Sequence, residues 1–439
     1  MKKIHFVGIG GIGVSALAKY YLEKGHKISG SDLFASEITK SLKKRGAKIF
    51  IGKHKVKNLS KNIDLVIYSP AVPQNNPELK RAKKLGIKCQ SYPEALGELT
   101  KEHFTIAVSG THGKSTTCAM IGLVLTKAGF DPSVIIGTKL KEFKNSNCRV
   151  GESKYLVIEA DEWQASFLKY FPKIIVLTNI EKEHLDYYKN LNHILKTYKE
   201  YINHLPKDGI LIANKDDKNI RHISSNMKNE TRYYSLRQPE TKKLRKIIKI
   251  PGEHNIYNAL ATLAVTRVLK IPDKITFNVL SKYRGSWRRF EEKESKISSL
   301  FTRSNKRITI ISDYAHHPTE IKNTLRAARE KFKKRKIWCV FQPHQYQRTF
   351  YLFNDFVRVF RSIPIDKLII TDIYDVAGRE EKRIKAKINS EQLIKTIKKS
   401  WAIYLEKEKV IKYLKKNLRG GEVIVIMGAG DIYKLCEEF

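Results

Sequence analysis

A chain of 439 residues is long enough for two or three domains with sizeable hydrophobic cores. Hydrophobic residues at 41% and aromatic residues at 10% exclude an intrinsically disordered protein. With 84 Lys and Arg against 44 Asp and Glu, the net charge of +40 excludes an acidic, self-solvating chain; it favours anionic partners, either nucleic acids or small molecules carrying phosphates and carboxylates.

Ile4-His5-Phe6-Val7 predicts a buried strand, then a glycine turn and a helix from Val14 to about Lys24. Lys2-Lys3, the apolar run and Ala16-Leu17-Ala18 imitate a secretory signal, but His5 and four glycines interrupt it. Lys27–Gly30 and Asp64–Tyr68 predict further strands, and strands alternating with helices imply a parallel, doubly wound sheet. The pattern restarts at Phe104–Val108, with more strands at Tyr155–Ile158, Ile174–Thr178 and Ile210–Ala213. A polar, Lys-rich stretch from Glu291 to Arg307 reads as a linker or hairpin region. A third restart comes at Ile308–Ile311, and Glu422–Ile426 is the last strand. The expected architecture is three α/β units in series, without a fixed-period repeat.

Cys89, Cys118, Cys148, Cys339 and Cys436 lie far apart, form no CxxC pair and are odd in number. That argues against a disulfide framework and a structural zinc site, and fits a reducing, cytoplasmic location. No apolar stretch approaches the roughly 20 residues that span a bilayer, so no membrane insertion is expected.

Gly8-Ile9-Gly10-Gly11-Ile12-Gly13 matches G-x-G-x-x-G between a strand and a helix. Glycines there allow the tight turn and let backbone N–H groups approach a diphosphate at the helix N-terminus. Asp32 ends the second strand at the spacing of a ribose-binding acid. NAD and a UDP-sugar both suit the motif, which is also compatible with a turn needed only for packing.

Ser109-Gly110-Thr111-His112-Gly113-Lys114-Ser115-Thr116-Thr117 follows the second unit's first strand and leads into the apolar helical run Met120–Leu125. Backbone N–H groups of such a loop wrap phosphate oxygens; Lys114 would neutralise the β/γ-phosphates and the Ser115 hydroxyl would ligate Mg²⁺. Val108 stands where a complete Walker A has its first glycine.

Glu159-Ala160-Asp161-Glu162 ends a strand at the carboxyl edge, where ligands bind in α/β sheets. A carboxylate there can complete Mg²⁺ coordination, or the segment is a solvated acidic turn. Thr178-Asn179 and Glu183-His184-Leu185-Asp186 follow the next strand; His184 taken alone reads as a capping or packing residue. Gly252 to Ala259 precedes an apolar helix, with polar residues that either face an adenine or cap the helix at Asn255. Arg288-Arg289 reads equally as a basic turn or an anion clamp. Asp313 to Glu320, Gln342 to Arg348, Thr371 to Tyr374 and Gly428 to Asp431 all sit at strand ends, which suggests one shared cleft.

Taken in order, GIGGIG with SALA, SPAVP with NPEL, GTHGKST, EADE with SFL, TNI with HLD, GEHNIYNA, RRFE, DYAHHPTE, FQPHQYQRT and GAGDI resemble the Mur ligase family over nearly the whole chain. The resemblance implies an α/β fold of three domains. These are a Rossmann-like UDP-sugar domain at 1–100, a central P-loop ATPase-like domain at 101–300, and a Rossmann-like C-terminal domain at 301–439 that closes over both. It further implies the branch of the family that joins L-alanine to the lactyl carboxylate of UDP-N-acetylmuramate, splitting ATP.

By the same resemblance Lys114, Glu159 and His184 are catalytic, and Ser115, Glu159 and His184 hold Mg²⁺. Gly110, Thr111, His112, Gly113, Lys114, Ser115, Thr116, Asn255, Arg289 and Asp313 bind ATP. Gly8, Gly10, Gly11, Gly13, Asp32 and Ser69 bind the UDP-sugar; His317, His344 and Arg348 bind the amino acid. A monomer or weak homodimer is expected.

Six positions depart from the alanine-adding pattern: Gln345 for Arg, Ser312 for Asp, Ala315 for Gly, Trp163-Gln164 after EADE, and Glu183 for Asp. Loss of the guanidinium at Gln345 leaves Arg348 to carry a substrate anion clamp alone. The nearest rival is the ligase that attaches an L-Ala-γ-D-Glu-diaminopimelate tripeptide to the same nucleotide sugar. An NAD-dependent dehydrogenase explains the first glycine loop and Asp32 but leaves the second loop unemployed. A nucleic-acid binder explains the charge, yet no dominant basic tract interleaved with aromatics is present, and no nucleic-acid partner is expected.

Overall fold

The computed structural model describes residues 1–294, 307–376 and 381–438. Part of the expected 291–307 linker, and the expected boundary between 300 and 301, lie outside them. By internal contacts the chain divides into two compact units. The first comprises Met1–Glu181, Leu191–Ile247 and Tyr257–Lys282; the second Lys182–Asn190, Ile248–Ile256 and Tyr283–Phe439.

The first unit carries two sheets. One is wholly parallel in the order β3-β2-β1-β4-β5, built from β1 (Lys3–Val7), β2 (Lys27–Asp32), β3 (Lys48–Ile51), β4 (Leu65–Tyr68) and β5 (Lys88–Ser91). Strand order reverses at β1, and the glycine loop at 8–13 follows that strand, at the topological switch point where α/β sheets bind ligands. The other sheet runs β12-β11-β10-β6-β9-β7-β8. Its strands are β6 (Phe104–Ser109), β7 (Ser133–Leu140), β8 (Ser146–Arg149), β9 (Tyr155–Glu159), β10 (Ile174–Leu177), β11 (Ile210–Asn214) and β12 (Glu230–Tyr234). β7 and β8 pair antiparallel, the rest parallel. Here β6 is the switch point, between β9 and β10, and the second glycine loop leaves its carboxyl end.

The second unit has a sheet ordered β13-β14-β18-β15-β16-β17: β13 (Glu291–Glu294), β14 (Thr309–Asp313), β15 (Ile337–Phe341), β16 (Lys367–Ile370), β17 (Ala402–Tyr404) and β18 (Val423–Met427). Only β13 runs antiparallel. All five residues of β18 are buried, the near-continuous apolar run of a strand covered on both faces. One face packs Ile321, Leu325, Phe356, Phe360 and Leu393; the other packs Val410, Leu414, Ile432 and Leu435.

The strong apolar runs form strands where expected. The short edge strands β5 and β12 carry Lys, Gln, Glu and Arg, and β17 is three residues long, so they lack that signal. The helix expected near residue 255 spans Glu253–Val268, and Asn255 lies inside its first turn rather than capping it.

Candidate active site

The first glycine loop is tied to β2. Gly8 and Ile9 donate to the Ser31 carbonyl at 2.9 and 3.1 Å, and Gly10 N–H donates to Asp32 Oδ2 at 2.8 Å. A Cβ on Gly10 would stand 2.8 Å from that carboxylate oxygen, and one on Gly13 would stand 2.9 Å from the Tyr92 ring. Ser69 follows β4 beside Gly8, where an added Cβ would lie 2.9 Å from its own. Gly11 has ordinary contacts and opens the helix Ile12–Glu23 as its N-cap. The structure therefore gathers Gly8, Gly10, Gly11, Gly13, Asp32 and Ser69 at the carboxyl edge of β1, β2 and β4.

Beneath the loop Glu78 is fully buried. Its oxygens meet His5 Nε2 at 2.9 Å, Ser31 Oγ at 2.7 Å and Asn58 Nδ2 at 2.7 Å. Burial works to raise this carboxyl, but the hydrogen bonds from His5, Ser31 and Asn58 win and hold it down at about 2.

The second glycine loop bends at Gly110 (φ +134°) and Gly113 (φ +84°) and opens the helix Lys114–Lys127. It is braced by the segment after β10. Thr111 N–H donates to the Asn179 carbonyl and His112 N–H to Asn179 Oδ1, both at 2.9 Å, while Thr178 Oγ1 donates to the His112 carbonyl at 2.6 Å. A Cβ on Gly113 would lie 2.5 Å from Asn258 Oδ1, which also accepts from Thr117 Oγ1 at 3.2 Å. Ser115 and Thr116 are buried in the first helical turn.

Lys114 Nζ donates to the Gly110 carbonyl at 2.7 Å and to Glu162 Oε2 at 2.8 Å; Asp161 Oδ1 stands 4.0 Å away. Burial works to lower the Lys114 ammonium, but Glu162, Asp161 and Glu159 outweigh it and push it up, so the cation persists at any working pH. Burial pushes the Glu162 carboxyl up to about 7, against the pull of Lys114. Glu159 ends β9, and its Oε1 accepts from Gly137 N–H at 2.6 Å. Its Oε2 has no partner among the described residues.

In the second unit Asp313 ends β14, buried, accepting from Phe290 N–H at 2.7 Å and Ala315 N–H at 2.8 Å. Burial pushes its carboxyl up to about 6, against the nearby Arg289. The Arg289 guanidinium lies over the Tyr314 ring at 5.0 Å. Asn255 Nδ2 donates to the Pro251 carbonyl at 2.7 Å. Arg348 Nε donates to Glu183 Oε1 at 2.9 Å. Burial works to raise the Glu183 carboxyl, but Arg348 and then His317 hold it well below the usual range. His184, with φ +54°, donates its N–H to Glu183 Oε1 at 3.0 Å. The His344 ring stacks on Tyr374 at 5.5 Å. His317 is the N-cap of the helix Pro318–Lys331: Nδ1 accepts from Thr319 N–H at 3.2 Å and Nε2 meets the Lys182 carbonyl at 3.1 Å.

Sequence reasoning passed over Glu162, Asn179, Asn258 and Glu183 as acting residues. The first three lie inside quoted motifs, but only the folded loop shows that Glu162 holds Lys114, Asn179 holds Thr111 and His112, and Asn258 accepts from Thr117. Glu183 was noted as a departure, and its partner Arg348 is 165 residues away.

The comparisons with known proteins decide the family. Residues 3–104 match the Mur ligase family catalytic domain, 108–266 the Mur ligase middle domain, and 298–430 the Mur ligase glutamate ligase domain. The chain belongs to the Mur ligase family. It is 40% identical over 461 residues to the UDP-N-acetylmuramate–L-alanine ligase of Clostridium acetobutylicum, covering 100% of this chain and 97% of that protein. The enzyme of the same name from Clostridium tetani is also 40% identical, with 100% and 98% covered. Among solved structures, the UDP-N-acetylmuramate–alanine ligase of Thermotoga maritima superposes with a TM-score of 0.80 at 27% identity, covering 100% of this Mur ligase and 98% of that chain. A murein peptide ligase from Psychrobacter arcticus gives 0.73 at 22% identity, a likeness of fold alone. Among the described residues no helix is long and apolar enough to cross a membrane.

Proposed function

We propose that this Mur ligase joins L-alanine to the lactyl carboxylate of UDP-N-acetylmuramate, with ATP split to ADP and phosphate. The observation that carries the reading is Lys114, a permanently charged ammonium held at the mouth of a glycine loop by Gly110 and Glu162. The first glycine loop, at 8–13 and backed by Asp32, supplies a separate anion site in the same unit. The likeness to alanine-adding relatives over their full length supports the choice of substrates.

A free carboxylate is a poor acyl donor. In the proposed sequence a lactyl oxygen attacks the γ-phosphorus, ADP leaves, and an acyl phosphate forms. The alanine amine then attacks the acyl carbon, the tetrahedral intermediate collapses, phosphate leaves and the amide nitrogen loses a proton. Lys114 and the loop N–H groups offset charge that builds on the phosphate oxygens. Asn255, Arg289 and Asp313 are assigned to the ATP, and His344 and Arg348 to the amino acid. His317 spends both ring nitrogens on the backbone, which favours a capping role for it.

Glu159 Oε2 and the Ser115 hydroxyl are hard oxygen donors and fit Mg²⁺. These two residues would hold the ion, with His184 added by the family resemblance. When bound, it supplies positive charge against the phosphate oxygens.

The test is phosphate release with ATP, UDP-N-acetylmuramate and L-alanine, each omitted in turn. Release that needs all three is expected. Release supported by L-Ala-γ-D-Glu-diaminopimelate in place of alanine would overturn the choice of acceptor.

A further inference from the structure

Arg348 lies on the short helix Tyr346–Tyr351, behind a turn at Gln345 whose φ of +73° lies in the left-handed region. Its side chain is 6% exposed. Nε donates to Glu183 Oε1 at 2.9 Å, and Nη1 reaches the His344 carbonyl at 3.0 Å and His344 Nδ1 at 3.1 Å. Nη2 donates to no described residue. Glu183 is itself anchored, because the same Oε1 accepts from His184 N–H at 3.0 Å and Oε2 stands 4.0 Å from His317 Nε2.

A guanidinium is a rigid plane. Fixing Nε and Nη1 therefore fixes where Nη2 points. The cavity between Glu183, Leu185, Gln345, Arg348, Tyr351 and Leu352 measures about 10 Å³. That is room for one water-sized group and too little for an amino acid.

We propose that Glu183 is a positioning residue for the acceptor: it grips Arg348 at Nε so that Nη2 meets the carboxylate of L-alanine. This rests on the reading of the chain as an alanine-adding ligase. Pre-ordering the guanidinium spares the substrate the cost of immobilising a rotamer-rich side chain, so the effect belongs in the KM for the acceptor. Without Glu183 the buried cation loses its counter-charge and turns from its place.

The test is steady-state phosphate release by the full chain, varying each substrate for the wild type, Glu183→Ala, Glu183→Asp, Arg348→Ala and the double variant. For Glu183→Ala, the KM for L-alanine should rise about tenfold or more. The KM values for ATP and UDP-N-acetylmuramate, and the Mg²⁺ requirement, should stay within about twofold. Glu183→Asp should recover most of the loss, and the double variant should be no worse than Arg348→Ala. Equal rises in all three KM values, additive losses in the double variant, or a changed Mg²⁺ requirement with an unchanged alanine KM would each overturn the proposal. Should Glu183→Ala fail to fold by circular dichroism, Glu183→Gln is read in its place. A wild type that releases no phosphate with L-alanine overturns the functional reading and this proposal together; an active wild type with an indifferent Glu183→Ala overturns this proposal alone.

Discussion

Lys114 Nζ lies 2.8 Å from Glu162 Oε2, a buried pair in which only the lysine is assured of its charge. Glu162 is 3% exposed, and burial lifts its carboxyl to about 7. Replacing Lys114 by Met should lower phosphate release by about 10²–10³-fold, the loss typical of one preorganised charge-stabilising donor. It also takes the Lys114 cation away from Glu162. A carboxyl raised above its unfolded value stabilises the native state while protonated, and that stability is lost as pH rises through the folded value. The Lys114→Met variant should therefore be destabilised by about 3 kcal/mol at pH 9 and by less than about 1 kcal/mol at pH 6. Thermal unfolding at the two pH values checks this; equal losses at both would show that Glu162 is not the group exposed by the substitution.

Gly10 has no room for a side chain, since a Cβ would sit 2.8 Å from Asp32 Oδ2 and 3.2 Å from Thr39 Cγ2. Its backbone conformation is ordinary, so the penalty of Gly10→Ala falls on the contact with Asp32 and not on φ. The expected outcome is a KM for UDP-N-acetylmuramate raised about tenfold or more, with the KM for ATP within about twofold. Steady-state kinetics with each substrate varied separates the two loops. A rise in the ATP value alone would reverse their assignment.

The contrast between these loops and the second unit shows what a sequence can display. Both glycine loops follow buried apolar strands and open helices, so position, glycine spacing and Asp32 or Lys114 were legible together. The partners that hold them were not. Asn179 reaches His112 across 67 residues and Asn258 reaches Thr117 across 141, and no local pattern encodes such distances. Edge strands such as β5, Lys-Cys-Gln-Ser, lacked the apolar run that marks a buried strand. The family resemblance assigns His317 to the amino acid, and His317-Pro318-Thr319-Glu320 also spells a helix start, with proline at the first helical position and glutamate two residues further on.

The Glu78 network should govern acid stability of the first sheet. Its carboxyl moves from an ordinary 4.5 to about 2 on folding, chiefly through hydrogen bonds from His5, Ser31 and Asn58 that overcome burial. A depressed carboxyl contributes stability that is fully present above its unfolded value and disappears as pH falls through the folded one. The shift corresponds to about 3 kcal/mol at most. Urea unfolding of Glu78→Gln and wild type at stepped pH should show a gap that is constant above pH ~5 and closes towards pH ~2. A gap independent of pH in that window would mean the carboxylate charge is not what the network stabilises.

His317 offers a separation of capping from substrate binding. With Nδ1 accepting from Thr319 N–H and Nε2 facing the Lys182 carbonyl, its imidazole meets backbone on both sides. Asparagine is among the best N-caps and alanine among the poor ones. His317→Ala should cost about 1 kcal/mol, a fall in Tm of about 2–4 °C for a unit of this size. His317→Asn should keep the cap and recover most of that loss, and its KM for L-alanine should stay within about twofold of wild type. Scanning calorimetry and alanine-dependent phosphate release on the two variants give both readings. If His317→Asn is as stable as wild type but needs far more alanine, the imidazole itself meets the substrate and its hold on Lys182 must break when the amino acid binds.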